Sequence, residues 1–165
     1  MKRLPLPLTL PLLALAALAC AAEVSAQARA ADFSGDWNYA IYAKDKQELP
    51  PAYREMRLEE VPQFAIDLSI KQRGNRLSAT CGVVAHYLAR IEDCGFTATV
   101  VNGAARFRLV SGFGGRATVR LTVRGGRLRW QTLRRVGASY FPADVTLRRL
   151  RPGETPPYFE KEGAR

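Results

Sequence analysis

Apolar and polar residues alternate along most of the chain from Gly35 onward. Phe64, Ile66 and Leu68, for example, alternate with small or polar residues. This period of two is typical of β-strands with one buried face, and helical periodicity is nearly absent. The alternation predicts eight strands, at 35–42, 64–72, 76–82, 94–101, 104–111, 116–123, 127–133 and 143–150.

The connections between the predicted strands are of two kinds. Three are tight, namely Arg73-Gly74-Asn75, Asn102-Gly103 and Arg124-Gly125-Gly126, and Asn-Gly is a strong hairpin signal. The other four lie at about 43–63, 83–93, 112–115 and 134–142, and the first includes one or two helical turns within 53–60 as a lid or side flap. Because successive connections of a meander fall at opposite ends, the tight turns share one end. We therefore predict an all-β fold, a single eight-stranded antiparallel up-and-down β-barrel.

The N-terminal residues have the pattern of an export signal. Lys2 and Arg3 precede an apolar stretch, 4–22, that is too short and too rich in proline for a good spanning helix. Small-x-small patterns favour cleavage after Ala26 or Ala28. We interpret 1–28 as a signal peptide, 32–150 as the barrel domain and 151–165 as a flexible, disordered tail. The protein is expected in the periplasm or outside the cell.

Two cysteines remain after removal of the signal. Cys20 is an alternative lipoprotein attachment site, although the usual leucine three positions upstream is absent; otherwise it leaves with the signal. The remaining pair, Cys81 and Cys94, is an even number of cysteines, which in an oxidising compartment favours a disulfide. Both fall on the inward face of neighbouring predicted strands. We therefore expect a disulfide between them.

The chain is strongly basic, with 25 Lys and Arg against 15 Asp and Glu, a formal net charge of +10 that becomes +9 without the signal. Six arginines fall on outward positions of three consecutive strands: Arg106, Arg108, Arg116, Arg120, Arg127 and Arg129. Such a basic flank attracts anionic envelope material, namely lipid head groups, lipopolysaccharide phosphates, acidic polysaccharide or an acidic protein, unless arginine here is only a solubilising residue. Export argues against nucleic acid as a partner.

The candidate chemistry is sparse. His86 is the single histidine, so no multi-histidine metal site exists, and we predict no metal and no cofactor, although haem needs only one axial ligand. The acidic pairs Glu59-Glu60 and Glu92-Asp93 are sequence neighbours, which point apart on a strand, and we interpret them as solvated loop charges. No Gly-x-Ser-x-Gly elbow occurs, and the glycine-rich segment 112–115 leads into a strand, unlike a phosphate-binding loop. We predict a protein that is not an enzyme.

The start of the first strand, Phe33-Ser34-Gly35-Asp36-Trp37, carries a resemblance to a known family. Gly35-x-Trp37 resembles the Gly-x-Trp signature that opens the lipocalin barrel, and the loop layout over 35–150 is similar. The resemblance implies that Trp37 plugs the closed end beneath an arginine near the last strand, either Arg148 or Arg149. The second lipocalin motif is absent, and avidin-type and bacterial lysozyme-inhibitor barrels share the same eight-strand layout.

Aromatic and arginine side chains on loops usually carry binding energy. We predict a recognition surface at the long-loop end, formed by Tyr53, His86, Tyr87, Arg90, Phe113, Arg135, Tyr140 and Phe141. The predicted function is an exported, monomeric, non-catalytic binding protein for a small amphipathic or apolar ligand or an anionic envelope component. The alternative is a periplasmic inhibitor or immunity protein that binds an envelope-acting enzyme. A void inside the barrel favours the first and a filled interior, which the large inward residues indicate, favours the second.

Overall fold

The structure is a computed structural model that describes residues 31–158. The predicted signal peptide, 1–28, and the last part of the predicted tail, 159–165, lie outside the described residues. No helix within 31–158 has the length and hydropathy needed to cross a membrane.

Eight antiparallel strands form one closed barrel in chain order. They are β1 (Gly35–Tyr42), β2 (Pro62–Arg73), β3 (Arg76–Ala85), β4 (Arg90–Val101), β5 (Ala104–Val110), β6 (Arg116–Arg124), β7 (Arg127–Val136) and β8 (Asp144–Arg149). The β1–β2 connection contains two short 3-10 turns, Pro51–Tyr53 and Leu58–Glu60. The predicted all-β barrel is confirmed.

The β3–β4 connection differs from its predicted extent. It was expected over about 83–93, yet β3 continues to Ala85 and β4 begins at Arg90, which leaves a turn of residues 86–89. The ladder extends because Val83 pairs with Glu92 and Ala85 with Arg90, in unbroken register with the pairs below them. The hydrogen bonds of this ladder keep the strand continuous, although the alternation of apolar and polar residues breaks at 83–85.

The ladders around the barrel are unequal in length. Within β1–β4 and within β5–β8, neighbouring strands pair over five to ten residues. The two seams that close the barrel are much shorter. At the β4–β5 seam only Val100–Ala105 and Val101–Ala104 pair, and at the β1–β8 seam only Trp37–Arg149 and Asn38–Arg148. The barrel is therefore two four-stranded sheets joined along two short seams.

Inward side chains fill the space between the two sheets. The rings of Phe96 and Phe107 are parallel with centroids 3.6 Å apart. Phe107 in turn meets the edge of Trp130 at 5.9 Å, and Trp130 lies 6.4 Å from Phe141. Together with the buried aliphatic residues of all eight strands, this aromatic series makes a packed core.

Trp37 closes the tight-turn end of the barrel. Its side chain is fully buried, and its Nε1 donates a hydrogen bond of 2.9 Å to the Phe33 carbonyl. The guanidinium of Arg149 lies 4.5 Å above the ring and also binds Asp32. The arginine that covers the tryptophan is therefore Arg149, and Arg148 instead pairs with Glu154 at 2.7 Å.

The predicted Cys81–Cys94 disulfide is present. The two residues are directly opposite each other on β3 and β4, with their Cα atoms 4.8 Å apart. The bond is consistent with an oxidising compartment outside the cytoplasm.

The segment after β8 differs from its predicted flexibility over residues 151–158. Tyr158 lies against the outer wall, where its hydroxyl donates a hydrogen bond of 2.7 Å to Oδ2 of Asp67. Asn38 donates both to the Tyr158 hydroxyl and to Oδ1 of Asp67. These contacts hold the segment 151–158 against β1 and β2, because Tyr158, Asp67 and Asn38 satisfy one another's hydrogen-bonding groups beneath this segment.

Burial raises the pKa of Asp67 above its ordinary value of 3.8, even though hydrogen bonds from Tyr158 and Asn38 oppose the shift. The folded state thus holds this proton more tightly than the unfolded chain does. The stability contributed by Asp67 is fully present below the unfolded pKa and is lost as pH rises through the folded pKa. We expect the free energy of unfolding of the wild type, relative to Asp67→Asn, to fall as pH rises from below 3.8 towards neutrality.

Urea titrations at a series of pH values measure this difference, and Asp144→Asn is a control of opposite sign. The hydrogen bond from Arg129 lowers the pKa of Asp144, so the wild type should lose stability relative to Asp144→Asn as pH falls. A difference between wild type and Asp67→Asn that does not change with pH would contradict the prediction.

Candidate functional site

The candidate site is the rim, defined as the four connections at the end opposite Trp37: β1–β2, β3–β4, β5–β6 and β7–β8. Because the strands form a meander, these connections meet at one end of the barrel, as predicted. The sequence-predicted residues that belong to the rim or its underside are Tyr53, His86, Tyr87, Arg90, Phe113, Arg135, Tyr140 and Phe141. They form two groups at the rim and a third, supporting pair beneath it.

The first group is an aromatic cluster centred on Tyr140. The edge of its ring faces His86, with centroids 5.5 Å apart, and Phe113, at 4.8 Å. Arg90 donates from Nε to the Tyr140 hydroxyl at 3.3 Å. Four predicted residues from three different connections and the start of β4 are thus brought into one contiguous surface, which we call the Tyr140 cluster.

The second group contains Tyr53 and Tyr87, which lie apart from the Tyr140 cluster. Both pack against a small core under the β1–β2 connection, whose buried members are Ala43, Leu49 and Val61. The connection therefore acts as a side flap that packs on the β3–β4 turn, with Tyr53 and Tyr87 partly exposed at its surface.

The β3–β4 turn holds an unusual backbone. Three consecutive non-glycine residues have positive φ: His86 at 52°, Tyr87 at 57° and Leu88 at 69°. Each such residue costs on the order of 1 kcal/mol, so the surrounding contacts must hold the turn in place. The turn sends His86 towards the Tyr140 cluster and Tyr87 and Leu88 towards the flap. Backbone strain of this kind is typical of functional loops.

Arg135 and Phe141 support the rim from below. Phe141 is only 1% exposed and packs on Trp130, so it is part of the core, not of the contact surface as predicted. Arg135 donates from Nη2 to the Phe141 carbonyl.

Glu92 is the rim residue that the sequence did not single out. It was interpreted as a solvated loop charge, but its side chain points into the barrel mouth and is 4% exposed. Oε1 accepts a hydrogen bond from the Gly112 amide at 3.2 Å, and Oε2 accepts one from the Tyr140 amide at 3.1 Å. One carboxylate therefore ties the β5–β6 and β7–β8 connections together.

The same two connections also touch directly. A Cβ atom at Gly115 would collide with the Ala138 carbonyl, so only glycine permits this approach. Together with the hydrogen bonds to Glu92, this close packing fixes the position of Tyr140 in the β7–β8 connection.

We expect Glu92→Ala to lower the free energy of unfolding by about 2 kcal/mol, because the backbone amides of Gly112 and Tyr140 both lose a charged acceptor. Glu92→Gln keeps one acceptor oxygen, so its cost should be about half as large. Urea denaturation measures both, and hydrogen exchange should show faster exchange of the Gly112 and Tyr140 amides. The neighbour Asp93 is exposed, so Asp93→Ala is the matched control and should stay within about 0.5 kcal/mol of wild type. Equal effects of Glu92→Ala and Asp93→Ala would contradict this role.

Exposed large apolar residues concentrate at the rim end. Among the described residues, the members of this set at that end are Ile41, Ile91, Val110, Phe113, Leu133 and Val136, with exposures from 41% to 72%. Val101, 63% exposed, is at the opposite end. Clustered exposed apolar side chains mark interaction surfaces more often than scattered ones do.

Within residues 31–158, no group of three or more His, Cys, Asp or Glu side chains is arranged to hold a metal ion. Comparison with protein-family models, curated proteins and solved structures finds no match to this chain. The class that the fold itself defines is a closed, eight-stranded antiparallel β-barrel.

Proposed function

We propose that this protein is an exported, non-catalytic binding module that docks through its rim on a protein of the cell envelope. The observation that carries the proposal is the concentration of exposed apolar side chains at the same end of the barrel as the Tyr140 cluster. Aromatic and arginine side chains surrounded by apolar contacts have the composition of protein–protein hot spots.

The interior argues for a protein partner over a small ligand carried inside. The stacked rings of Phe96 and Phe107, with Trp130 edge-on to Phe107, occupy the centre of the barrel, and Phe141 lies beneath the rim. Glu92 ties two connections across the mouth. These contacts leave the rim as a rigid outer surface, which lowers the entropic cost of docking.

The charge of the chain indicates the character of the partner. A formal net charge of +10, or +9 without the predicted signal, favours an acidic surface and disfavours a basic one, so a strongly basic lysozyme is a poor target. An inhibitor or immunity protein for an acidic enzyme outside the cytoplasm, where the Cys81–Cys94 disulfide is stable, fits these properties. The barrel closure and the Gly35-x-Trp37 contact with Arg149 are compatible with a lipocalin-like ancestry of the scaffold.

The test compares capture of envelope proteins by three forms of the full chain. Ile91→Ser with Phe113→Ser removes two exposed apolar side chains from the rim end, and Val101→Ser removes one from the opposite end that is as exposed as Ile91. We expect one envelope protein whose recovery, quantified by mass spectrometry, falls about tenfold or more with the rim variant but not with Val101→Ser. Recovery unchanged by the rim variant would contradict the proposal. A native mass spectrum with a retained small molecule would instead favour a ligand carrier.

A further inference from the structure

A second surface lies on the outer wall near the tight-turn end, away from the rim. It is a groove of about 1330 Å³, and its cationic lining residues are Lys71, Arg73, Arg76, Arg106 and Arg120, which we call the basic groove. None of the described residues that line it is acidic. Its volume exceeds the range of about 300–1,000 Å³ that is usual for small-molecule pockets, so it can take an extended ligand.

The cations of the basic groove face one another without counter-charges. Arg73 pairs directly with Arg76 across β2 and β3, and Arg106 pairs with Arg120 across β5 and β6. Like charges directly opposite on neighbouring strands are destabilising. Within residues 31–158, none of the five forms an ion pair. Nε of Arg120 is also buried and has no hydrogen-bond partner there, which a bound anion would correct.

The short β4–β5 seam creates the groove. After the two pairs that end at Val100–Ala105, the ladder stops, and the groove reaches Leu77 and Ala98, whose side chains belong to the inward face. Its floor is polar, because Ser78 and Thr97 lie opposite each other on β3 and β4. Hydroxyl groups on the floor can hydrogen-bond the oxygens of a bound anion.

The spacing of the cations sets the spacing of the anionic groups. The cations form two groups, which we call banks. The first bank lies on β2 and β3 and the second on β5 and β6, and β4 separates them. Paired neighbouring strands are about 4.8 Å apart, and β4 diverges from β5 beyond Val100, so β3 and β5 place the two banks at least about 10 Å from each other. Four of the five cations are arginines, whose planar donors match phosphate oxygens in pairs.

We propose that the basic groove binds an oligoanion that carries at least two phosphate groups, separated by about 10 Å or more. The inference goes beyond the rim function and does not depend on it. The same chemistry is available from a free polyphosphorylated solute and from phosphate groups on a lipid surface, and the experiment separates these sources.

The probes are inositol hexakisphosphate and inorganic phosphate, titrated calorimetrically into the full chain. Arg76→Gln with Arg106→Gln removes one cation from each bank. The matched control, Arg116→Gln with Arg134→Gln, removes the same charge from exposed strand positions at the rim end. We expect the hexakisphosphate to bind at least about tenfold more tightly than inorganic phosphate, and the groove variant to lose about tenfold in affinity while the control changes by less than about twofold.

Equal losses in both variants would overturn the proposal, because they would show a general effect of net charge. Failure of the hexakisphosphate to bind more tightly than inorganic phosphate would also overturn it. A single-stranded oligonucleotide that binds in the groove more tightly than the hexakisphosphate would overturn it as well. Co-sedimentation with vesicles of phosphatidylcholine and phosphatidylglycerol in equal parts, against phosphatidylcholine alone, identifies the source. Groove-dependent sedimentation that the hexakisphosphate abolishes assigns a lipid surface, and hexakisphosphate binding without sedimentation assigns a free solute. Both results support the groove.

Discussion

Replacement of Trp37 by alanine is expected to lower the free energy of unfolding by about 4 kcal/mol, the usual cost of removing a buried tryptophan. The side chain is fully buried at the closed end and satisfies its own Nε1 through the Phe33 carbonyl. Its loss leaves a cavity beneath Arg149 and also removes a contact at the β1–β8 seam, which has only two residue pairs.

Urea denaturation of the full chain measures the effect, and two further variants keep the prediction testable if the alanine variant does not fold. Trp37→Phe retains an aromatic ring but loses the hydrogen bond, so its cost should be about 1–2 kcal/mol. Arg149→Ala should cost about 1 kcal/mol, and a double-mutant cycle should reveal coupling between the two residues. A Trp37→Ala variant within about 1 kcal/mol of wild type would show that the closed end does not depend on this plug.

The second large effect is expected from the disulfide. Cys81 and Cys94 are 13 residues apart, and a ring of this size contributes about 3 kcal/mol on the chain-entropy model. Replacement of both by alanine should therefore lower the free energy of unfolding by about 3 kcal/mol, although the β3–β4 ladder around the bond remains continuous.

The reductant response provides the control. Dithiothreitol should lower the urea midpoint of the wild type to near that of the double alanine variant, and it should leave the midpoint of that variant unchanged. If thiol counting shows full reduction and the wild-type midpoint does not move, the bond contributes nothing to stability.

The strand positions were predictable because burial on one face imposes a period of two on the sequence. β1 begins and ends at the predicted residues, and β6 and β7 begin at theirs. The pairing of Cys81 with Cys94 followed from the same parity. The β3–β4 connection was predicted too long, since the consecutive valines 83 and 84 break the alternation although both are buried.

The features that the sequence did not reveal depend on distant segments. Glu92 has the sequence context of a surface charge, and only the approach of two other connections buries it. Tyr158 lies among prolines, and nothing local indicates that its hydroxyl donates to Asp67 and accepts from Asn38 on the outer wall. The outward arginines of β5–β7 were recognised as a basic flank. Arg106 and Arg120 line one groove with Lys71 and Arg73 only because β4 diverges from β5, which the sequence pattern does not indicate.

The division of the barrel into two sheets has a consequence for how the chain folds. Every long ladder joins strands that are neighbours in sequence, so each half, 35–101 and 104–149, can zip up from its own hairpins with short loop closures. The ladder between β1 and β8 brings together residues more than a hundred positions apart, yet it consists of only two residue pairs. We therefore expect the slow search for distant partners to be confined to one late step, in which the two halves meet face to face around their aromatic rings.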